Sequence, residues 1–151
     1  MLEYGIIEAV YNAKSGHPGG ALSAADIVTV LFFNQMNIDP QNPKLNNRDR
    51  FVLSKGHASP ALYSVLAERG FFDKSELKNL RQLNSFLQGH PDMNKTPGVD
   101  MSTGSLGQGL SVANGMAMSA KLNKQDLRIY CLCGDRRNTR GPNLGSLYEC
   151  K

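Results

Sequence analysis

The chain has 151 residues, enough for one domain with a hydrophobic core, and its 40% hydrophobic and 20% charged residues are ordinary for a globular protein. The net charge of +4 is concentrated near the end, where residues 136–151 hold four basic residues and one acidic residue. The first 135 residues hold 13 basic and 12 acidic residues without a basic stripe, so we expect no binding to nucleic acid. No apolar run has the length of a membrane span, so we expect no membrane association.

The first half of the chain predicts two helices followed by a strand. Apolar residues recur at helical spacing in residues 2–14, and a second helical pattern covers residues 24–37. Ser23 and Asp26 resemble a capping box that would open this second helix. After a polar loop that contains proline, the apolar run at 50–54 predicts a short buried strand.

The second half predicts three more helices and a second strand. Helical patterns cover residues 61–70, 75–83 and 105–124, and the apolar run at 127–133 is typical of a strand. Residues 84–104 are rich in Gly, Pro, Asn and Asp, and a loop of this length in a compact domain usually has a function. Helices that alternate with strands predict an α/β fold with a parallel sheet covered by helices.

The chain contains only three histidines, and each lies in a loop that contains glycine or proline. They are His17 in SGHPGG, His57 in KGHAS and His90 in QGHPD. A single loop histidine is usually an ordinary surface residue, and that interpretation remains open for each one. His57 directly follows the strand at 50–54, and loops beyond the carboxyl ends of strands converge on the ligand in open α/β sheets. Imidazoles there could bind phosphate or hydroxyl groups and exchange protons near neutral pH.

Two further features indicate a phosphate or metal site. The glycines of TGSLGQG, residues 103–109, lie where a loop enters a helix, and backbone amides at a helix N-terminus suit an anion. Close packing of the helix N-terminus against a neighbouring element would explain these glycines equally well. Asp135 ends the second strand, where a carboxylate could bind a Mg²⁺ ion that bridges a diphosphate, although an ordinary loop aspartate would look the same.

The cysteines are Cys131, Cys133 and Cys150, an odd number without the spacing of a disulfide framework. Cys131 and Cys133 would share one face of the second strand, and buried structural thiols are the simplest interpretation. The N-terminus also lacks the basic n-region of a secretory signal. We therefore expect a cytoplasmic, reducing location.

Taken together and in this order, these segments resemble those of transketolases. The resemblance extends over most of residues 8–135 and rests on SGHPGG, DRFVLSKGHASPALY, LQGHPD, TPGVDMSTGSLGQGLS and a strand that ends in Gly-Asp. It is strongest to the N-terminal subunit of split transketolases, whose catalytic unit consists of two polypeptides. Deoxyxylulose-5-phosphate synthases share a histidine-glycine loop near the N-terminus. Another thiamine-diphosphate enzyme of that kind is therefore an alternative to a transketolase. The resemblance implies the thiamine-diphosphate-binding fold, incomplete here at the C-terminus.

The resemblance also implies roles for individual residues. His17 matches a residue that contacts the sugar, and His90 matches one beside the cofactor, near the reacting end of the donor sugar. His57 matches a histidine on the cofactor diphosphate, and Asp135 matches the first Mg²⁺ ligand. The segment that contacts thiamine diphosphate corresponds to Gly104, Ser105 and Leu106.

The implied reaction transfers a two-carbon ketol unit from a ketose phosphate to an aldose phosphate through thiamine diphosphate, as in the pentose phosphate pathway. The cofactor performs the difficult chemistry, and the protein supplies position and charge. The family's sites lie across a dimer, and the glutamate that activates the aminopyrimidine belongs to a C-terminal subunit or section. We therefore expect sugar phosphates and that C-terminal partner to bind, a homo- or hetero-oligomer when complete, and an inactive isolated chain. A non-catalytic remnant is the other alternative.

The sequence departs from the family after Asp135. Transketolases continue with Gly-Asp-Gly-Glu and soon Trp-Glu-Ala, whereas this chain has Arg136 and a basic segment. With suitable synonymous codons, omission of a single base after the Asp135 codon restores Gly-Glu-Ile-Gln-Glu-Gly-Pro-Ile-Trp-Glu-Ala. We therefore expect residues 1–135 to be a partial diphosphate-binding domain and residues 136–151 to be an aberrant, poorly ordered tail.

Overall fold

A computed structural model describes residues 2–134 of the chain. The helices and strands of this part are α1 (Leu2–Ala13), α2 (Pro18–Leu22), α3 (Ala25–Val30), β1 (Arg50–Leu53), α4 (Ser59–Arg69), α5 (Gln108–Leu122) and β2 (Ile129–Leu132). A π-helical turn at Leu31–Gln35 extends α3, and 3-10 turns form at Gly56–Ala58 and Lys74–Asn79. Within these residues, no helix has the length and apolar character needed to cross a bilayer.

The sheet of the described part consists of β1 and β2, which run parallel as the alternation of elements predicts. Leu53 lies opposite Leu132, so both strands end at the same edge of the sheet. The Ser54 N–H donates to the Leu132 carbonyl at 2.9 Å and continues the ladder to this edge. We call residues 54–58 and 133–134 the carboxyl edge, where an open α/β sheet binds its ligand.

The central helix of the core is α4, in which every residue from Ser59 to Ala67 is buried. It packs against α1, α2 and α3, and these helices bury the apolar residues of the first half of the chain. It ends before Gly70, whose φ of 89° is left-handed and favours glycine. The helix predicted at 61–70 is confirmed, and it begins slightly earlier, at Ser59.

The first helix is also confirmed, but the apolar spacing does not identify its buried face. Leu2, Ile6 and Ala9 are at most 6% exposed and pack into the core. Ile7 and Tyr11 belong to the same apolar pattern, yet they are 53% and 79% exposed. The pattern therefore predicts the helix and leaves its rotation about the axis undetermined.

The predicted capping box before the second helix is wrong. Ala24 holds the N-cap position of α3, and no side chain caps this helix. Ser23 instead donates its hydroxyl to the Gly20 carbonyl at 3.1 Å, in the turn that follows α2. Asp26 lies in the first turn of α3, where a carboxylate still complements the helix dipole.

The helix predicted at 75–83 is shorter and tighter than expected. The Asp73 carboxylate accepts a hydrogen bond from the Ser75 N–H at 2.8 Å and opens a 3-10 turn. Leu77 and Leu80 are 4% and 1% exposed, so two buried leucines lie three positions apart. This spacing fits a 3-10 turn, in which residues three apart are eclipsed.

Three parts of the chain lie outside the described residues: Met1, Asp135 and the segment 136–151. The proposed Mg²⁺ ligand and the proposed aberrant tail therefore remain predictions.

Candidate functional site

Two of the three histidines meet at the carboxyl edge. β1 leads through Ser54 and Lys55 into the 3-10 turn that contains His57. His17 directly precedes Pro18, the first residue of α2. The His17 and His57 rings lie in edge-on contact, with centroids 5.3 Å apart and an interplanar angle of 73°. Two imidazoles from loops that are far apart in the sequence are therefore in contact in the fold.

The glycine before His57 allows a third loop to approach the same edge. A Cβ atom on Gly56 would lie 2.8 Å from the Thr103 Oγ1 atom and 2.9 Å from the Gly104 nitrogen. Both distances are too short for non-bonded atoms, so only glycine permits this approach of the two backbones. The segment predicted to contact the cofactor, 104–106, thus begins beside the His57 turn.

His90 lies against the same segment. A Cβ atom on Gly104 would lie 3.3 Å from the His90 ring. The Thr103 N–H donates to the Pro91 carbonyl at 3.2 Å, which holds the two loops together. A continuous series of contacts therefore joins four of the predicted site residues, although their chemical roles remain predictions: His17, His57, Gly104 and His90.

A cleft of about 290 Å³ lies between this segment and the start of α5. Thr103, Gly104, Ser105 and Gly109 are among its lining residues, whereas none of the three histidines lines it. Leu106 is half-buried in the turn between Ser105 and α5. The buried Thr103 Oγ1 has no hydrogen-bond partner among the described residues. Because an unpaired buried hydroxyl is costly, a polar ligand would stabilise this position. The glycines that line the cleft leave room for a bound group, and this hydroxyl can serve as a polar contact. Both features fit a diphosphate cofactor.

Lys55 is a cation at the carboxyl edge that the motifs alone did not single out. It is 9% exposed, and its Nζ donates to the Gly20 carbonyl at 3.0 Å and to the Ser23 hydroxyl at 3.2 Å. Burial lowers the pKa of Lys55. These bonds tie the turn after His17 to the edge, and a partly desolvated cation favours an anionic ligand nearby. The signal available in the sequence was its position in KGHAS.

Two side chains of α4 hold the loop that contains His90. The Ser59 hydroxyl donates to the Gly89 carbonyl at 2.9 Å, and the Tyr63 hydroxyl donates to the Gln88 carbonyl at 2.8 Å. Tyr63 is fully buried, and burial raises the pKa of its phenol, which keeps the donating proton in place. Gln88 and Gly89 are the two residues before His90, so α4 positions this histidine relative to the carboxyl edge.

We expect Tyr63→Phe to lower the free energy of unfolding by about 1–3 kcal/mol, because the Gln88 carbonyl loses its buried partner. Urea unfolding followed by circular dichroism measures this change. Tyr11→Phe removes the same hydroxyl from a residue that is 79% exposed, and we expect a change within about 0.5 kcal/mol. Equal losses in the two variants would show that the Tyr63 hydrogen bond does not stabilise the fold.

Two thiols lie at the end of β2. The Cys131 and Cys133 sulfur atoms are 3.8 Å apart, and both residues are free and half-buried. The hydrogen bond between them raises the pKa of the Cys131 thiol and lowers the pKa of Cys133. Both residues are only half-buried, so the expectation of buried thiols is wrong for this pair, whereas their structural role stays a prediction.

The fold is an α/β domain in which the histidine loops and the segment 104–106 meet beyond the carboxyl ends of parallel strands, the position at which such sheets bind their ligands. Residues 4–141 match the protein family described as transketolase, thiamine diphosphate binding domain. The chain belongs to this family, which confirms the resemblance and the fold class predicted from the sequence.

The relatives are considerably longer than this chain. It is 45% identical over 144 residues to an apulose-4-phosphate transketolase subunit from Phocaeicola vulgatus, a match that covers 95% of this chain and 50% of that protein. It is 51% identical over 136 residues to the transketolase of Homo sapiens, covering 89% of this chain and 22% of that protein. The crystal structure of Campylobacter jejuni transketolase superimposes with a TM-score of 0.89 and 43% identity, over 96% of this chain and 24% of that one. The chain therefore spans half or less of the length of these relatives.

Proposed function

We propose that this chain is the diphosphate-binding part of a transketolase, which transfers a two-carbon ketol unit from a ketose phosphate to an aldose phosphate. The observation that carries the proposal is the convergence of the three histidine loops and the segment 104–106 near the carboxyl edge. The His17–His57 ring contact, the Gly56–Gly104 approach and the His90–Gly104 contact bring the histidines close to one glycine-lined segment. The family match supports the same assignment.

Thiamine diphosphate, when bound, supplies the carbanion-stabilising chemistry that amino-acid side chains lack. In this proposal, His57 donates a hydrogen bond to the diphosphate, and the segment 104–106 holds the cofactor in place. The Thr103 hydroxyl is available as a further polar contact because it has no partner among the described residues. His17 binds a hydroxyl of the sugar, and His90 exchanges a proton near its reacting end while also contacting the cofactor.

We propose Mg²⁺ as the second cofactor, with Asp135 as its protein ligand. Residues 2–134 contain no group of three or more His, Cys, Asp or Glu side chains that could hold a metal ion. Mg²⁺ prefers oxygen ligands and is often bound through one or two carboxylates together with substrate phosphates, which suits a single carboxylate at position 135. The diphosphate would supply the remaining negative oxygens.

We propose that the partner of this chain is a C-terminal transketolase subunit or section. The chain covers half of a relative whose own name describes it as one subunit of a transketolase, which supports a catalytic unit made of more than one polypeptide. The substrates would be sugar phosphates, and the isolated chain would be inactive. The odd number of cysteines, without the spacing of a disulfide framework, supports a reducing, cytoplasmic location.

Calorimetric titration with thiamine diphosphate and Mg²⁺, with and without the C-terminal subunit of a split transketolase, tests the proposal. We expect cofactor binding and ketol transfer when both subunits are present. His57→Ala should weaken cofactor binding about tenfold or more, since a hydrogen bond to a charged group contributes about 1.5–3 kcal/mol. Tyr4→Ala, at a residue 71% exposed on α1, is the control and should bind normally. Absence of binding with the partner present would support the non-catalytic remnant instead.

We also propose that a one-base shift of the reading frame follows Asp135, so that the domain ends at residue 135, six residues before the end of the family match, and the segment 136–151 is aberrant. The support is the basic composition of that segment, where the family has acidic residues and tryptophan. Sequencing the gene around the Asp135 codon tests this. Codons whose neighbouring frame cannot encode Gly-Glu and Trp-Glu-Ala would exclude the shift.

A further inference from the structure

The two thiols at the end of β2 form a pair in direct contact. Cys131 is the third residue of β2, and Cys133 lies immediately beyond its end at Leu132. Residues two apart on a strand project from the same face. The two sulfur atoms are accordingly 3.8 Å apart, and both residues are half-buried rather than sealed in the core.

A covalent bond between them requires the end of the strand to bend, because a disulfide needs Cβ atoms about 3.5–4.5 Å apart and side chains two apart on a strand start farther from each other. Residues two apart on a strand have Cα atoms about 6.6 Å apart, and disulfides form up to a Cα separation of about 6.8 Å. The sulfur atoms must approach from 3.8 Å to the bonding distance of about 2.05 Å. Cys133 can contribute most of this movement because it lies outside the regular strand.

We propose that Cys131 and Cys133 are a dithiol modification site, which a two-electron oxidant such as hydrogen peroxide converts to an intrastrand disulfide. One sulfur attacks a peroxide oxygen, the O–O bond breaks, and a sulfenic acid and water form. The second sulfur attacks the sulfenic sulfur, the S–O bond breaks, and a second water leaves with the remaining thiol proton. The two thiols lose two electrons and two protons in total, and the peroxide is reduced to water.

The disulfide would change the carboxyl edge itself. The residue between the cysteines, Leu132, accepts the hydrogen bond from the Ser54 N–H at 2.9 Å. Drawing the two sulfur atoms together would bend the strand at the hydrogen bond between Leu132 and Ser54. Ser54 lies three residues before His57. A disulfide closed near the geometric limit is also readily reduced, so the modification should be reversible. The proposal goes beyond the proposed transketolase function, because the thiol chemistry does not require cofactor binding.

Peptide mass measurement tests the proposal directly. The folded protein is treated with hydrogen peroxide, remaining thiols are blocked with N-ethylmaleimide under denaturing conditions, and the chain is digested with trypsin. Cleavage after Arg128 and Arg136 releases one peptide that contains Cys131 and Cys133 and excludes Cys150. We expect this peptide to be two hydrogen masses lighter than its dithiol form and to carry no maleimide. Reduction with dithiothreitol before the blocking step should restore both maleimide additions.

Matched variants separate this site from general thiol oxidation. Cys150→Ser keeps the pair and should give the same cross-linked peptide, whereas Cys133→Ser should leave Cys131 as a single thiol that cannot close the ring. Full alkylation of both cysteines after peroxide would overturn the proposal. Cross-linking of either cysteine to Cys150, or separate oxidation of each to a sulfinic acid, would also overturn it.

Discussion

Gly109→Ala is expected to destabilise the fold by about 1–3 kcal/mol and to abolish cofactor binding. A Cβ atom at this position of α5 would lie 2.6 Å from the Ser54 Cβ and 2.7 Å from its Cα. The Ser54 backbone is fixed by its hydrogen bond to β2, so α5 must move away from the carboxyl edge. The start of α5 lines the candidate cleft, and its displacement would open that cleft. Urea unfolding measures the first effect, and calorimetry with thiamine diphosphate in the presence of the C-terminal partner measures the second.

Gly115→Ala is the matched control, because it makes the same substitution in the same helix. No atom lies within 4 Å of a Cβ placed on Gly115. Alanine in a helix is favoured over glycine by about 0.5–1 kcal/mol, so this variant should be slightly more stable than the original chain. Both variants replace glycine by alanine in the same helix, so the difference between them reports mainly the contact with Ser54. Shifts of the same sign and size would contradict the close packing of α5 against β1.

Elements that are buried along their whole length were predictable from the sequence. α4 and β1 lie where apolar runs occur, because nearly all of their residues contact the core. The rotation of α1 about its axis was not predictable, since Ile7 and Tyr11 extend the apolar pattern onto an exposed face. Apolar periodicity reports the presence of a helix more reliably than it reports the partner that covers each side chain.

Signals that depend on a single hydrogen bond were less predictive. Ser23 was expected to cap α3, but its hydroxyl bonds the Gly20 carbonyl and accepts from Lys55. The Lys55 side chain comes from the end of β1, so the competing bond depends on tertiary structure. A local sequence pattern contains no information about such a partner.

The candidate site was predictable as a set of loops, while its supporting contacts were not. The three histidine loops and the glycine-rich segment were recognisable from their residues alone. The hydrogen bond from Tyr63 to Gln88 joins a helix to an irregular loop. Both residues belong to recognised segments, DRFVLSKGHASPALY and LQGHPD, but nothing in those segments indicates that the two residues pair. Asp135 was recognisable by position, but its contacts lie outside the described residues.

Asp100→Asn should lower the free energy of unfolding by about 3–5 kcal/mol, the largest loss we expect from a single side chain. The Asp100 carboxylate pairs with the Arg48 guanidinium, contacts Arg50 at 3.4 Å, and accepts from the Phe51 N–H at 2.8 Å. The side chains of Asp100 and Arg48 are 4% and 8% exposed. Asparagine can still accept from Phe51, but it leaves the buried Arg48 charge without its counter-ion. Urea unfolding at neutral pH measures the loss.

Two comparisons separate this buried pair from ion pairs in general. Glu68→Gln removes the exposed pair with Lys74, whose side chain is 57% exposed, and should cost only about 0.2–1 kcal/mol. Asp100→Asn combined with Arg48→Met removes both charges, and the double variant should lose less than the sum of the single variants. Asp100 contacts the start of β1 and lies four residues before Gly104, so the same pair also anchors the segment 104–106. Additive losses would mean that the two charges do not stabilise each other and that the loop is held by its backbone contacts alone.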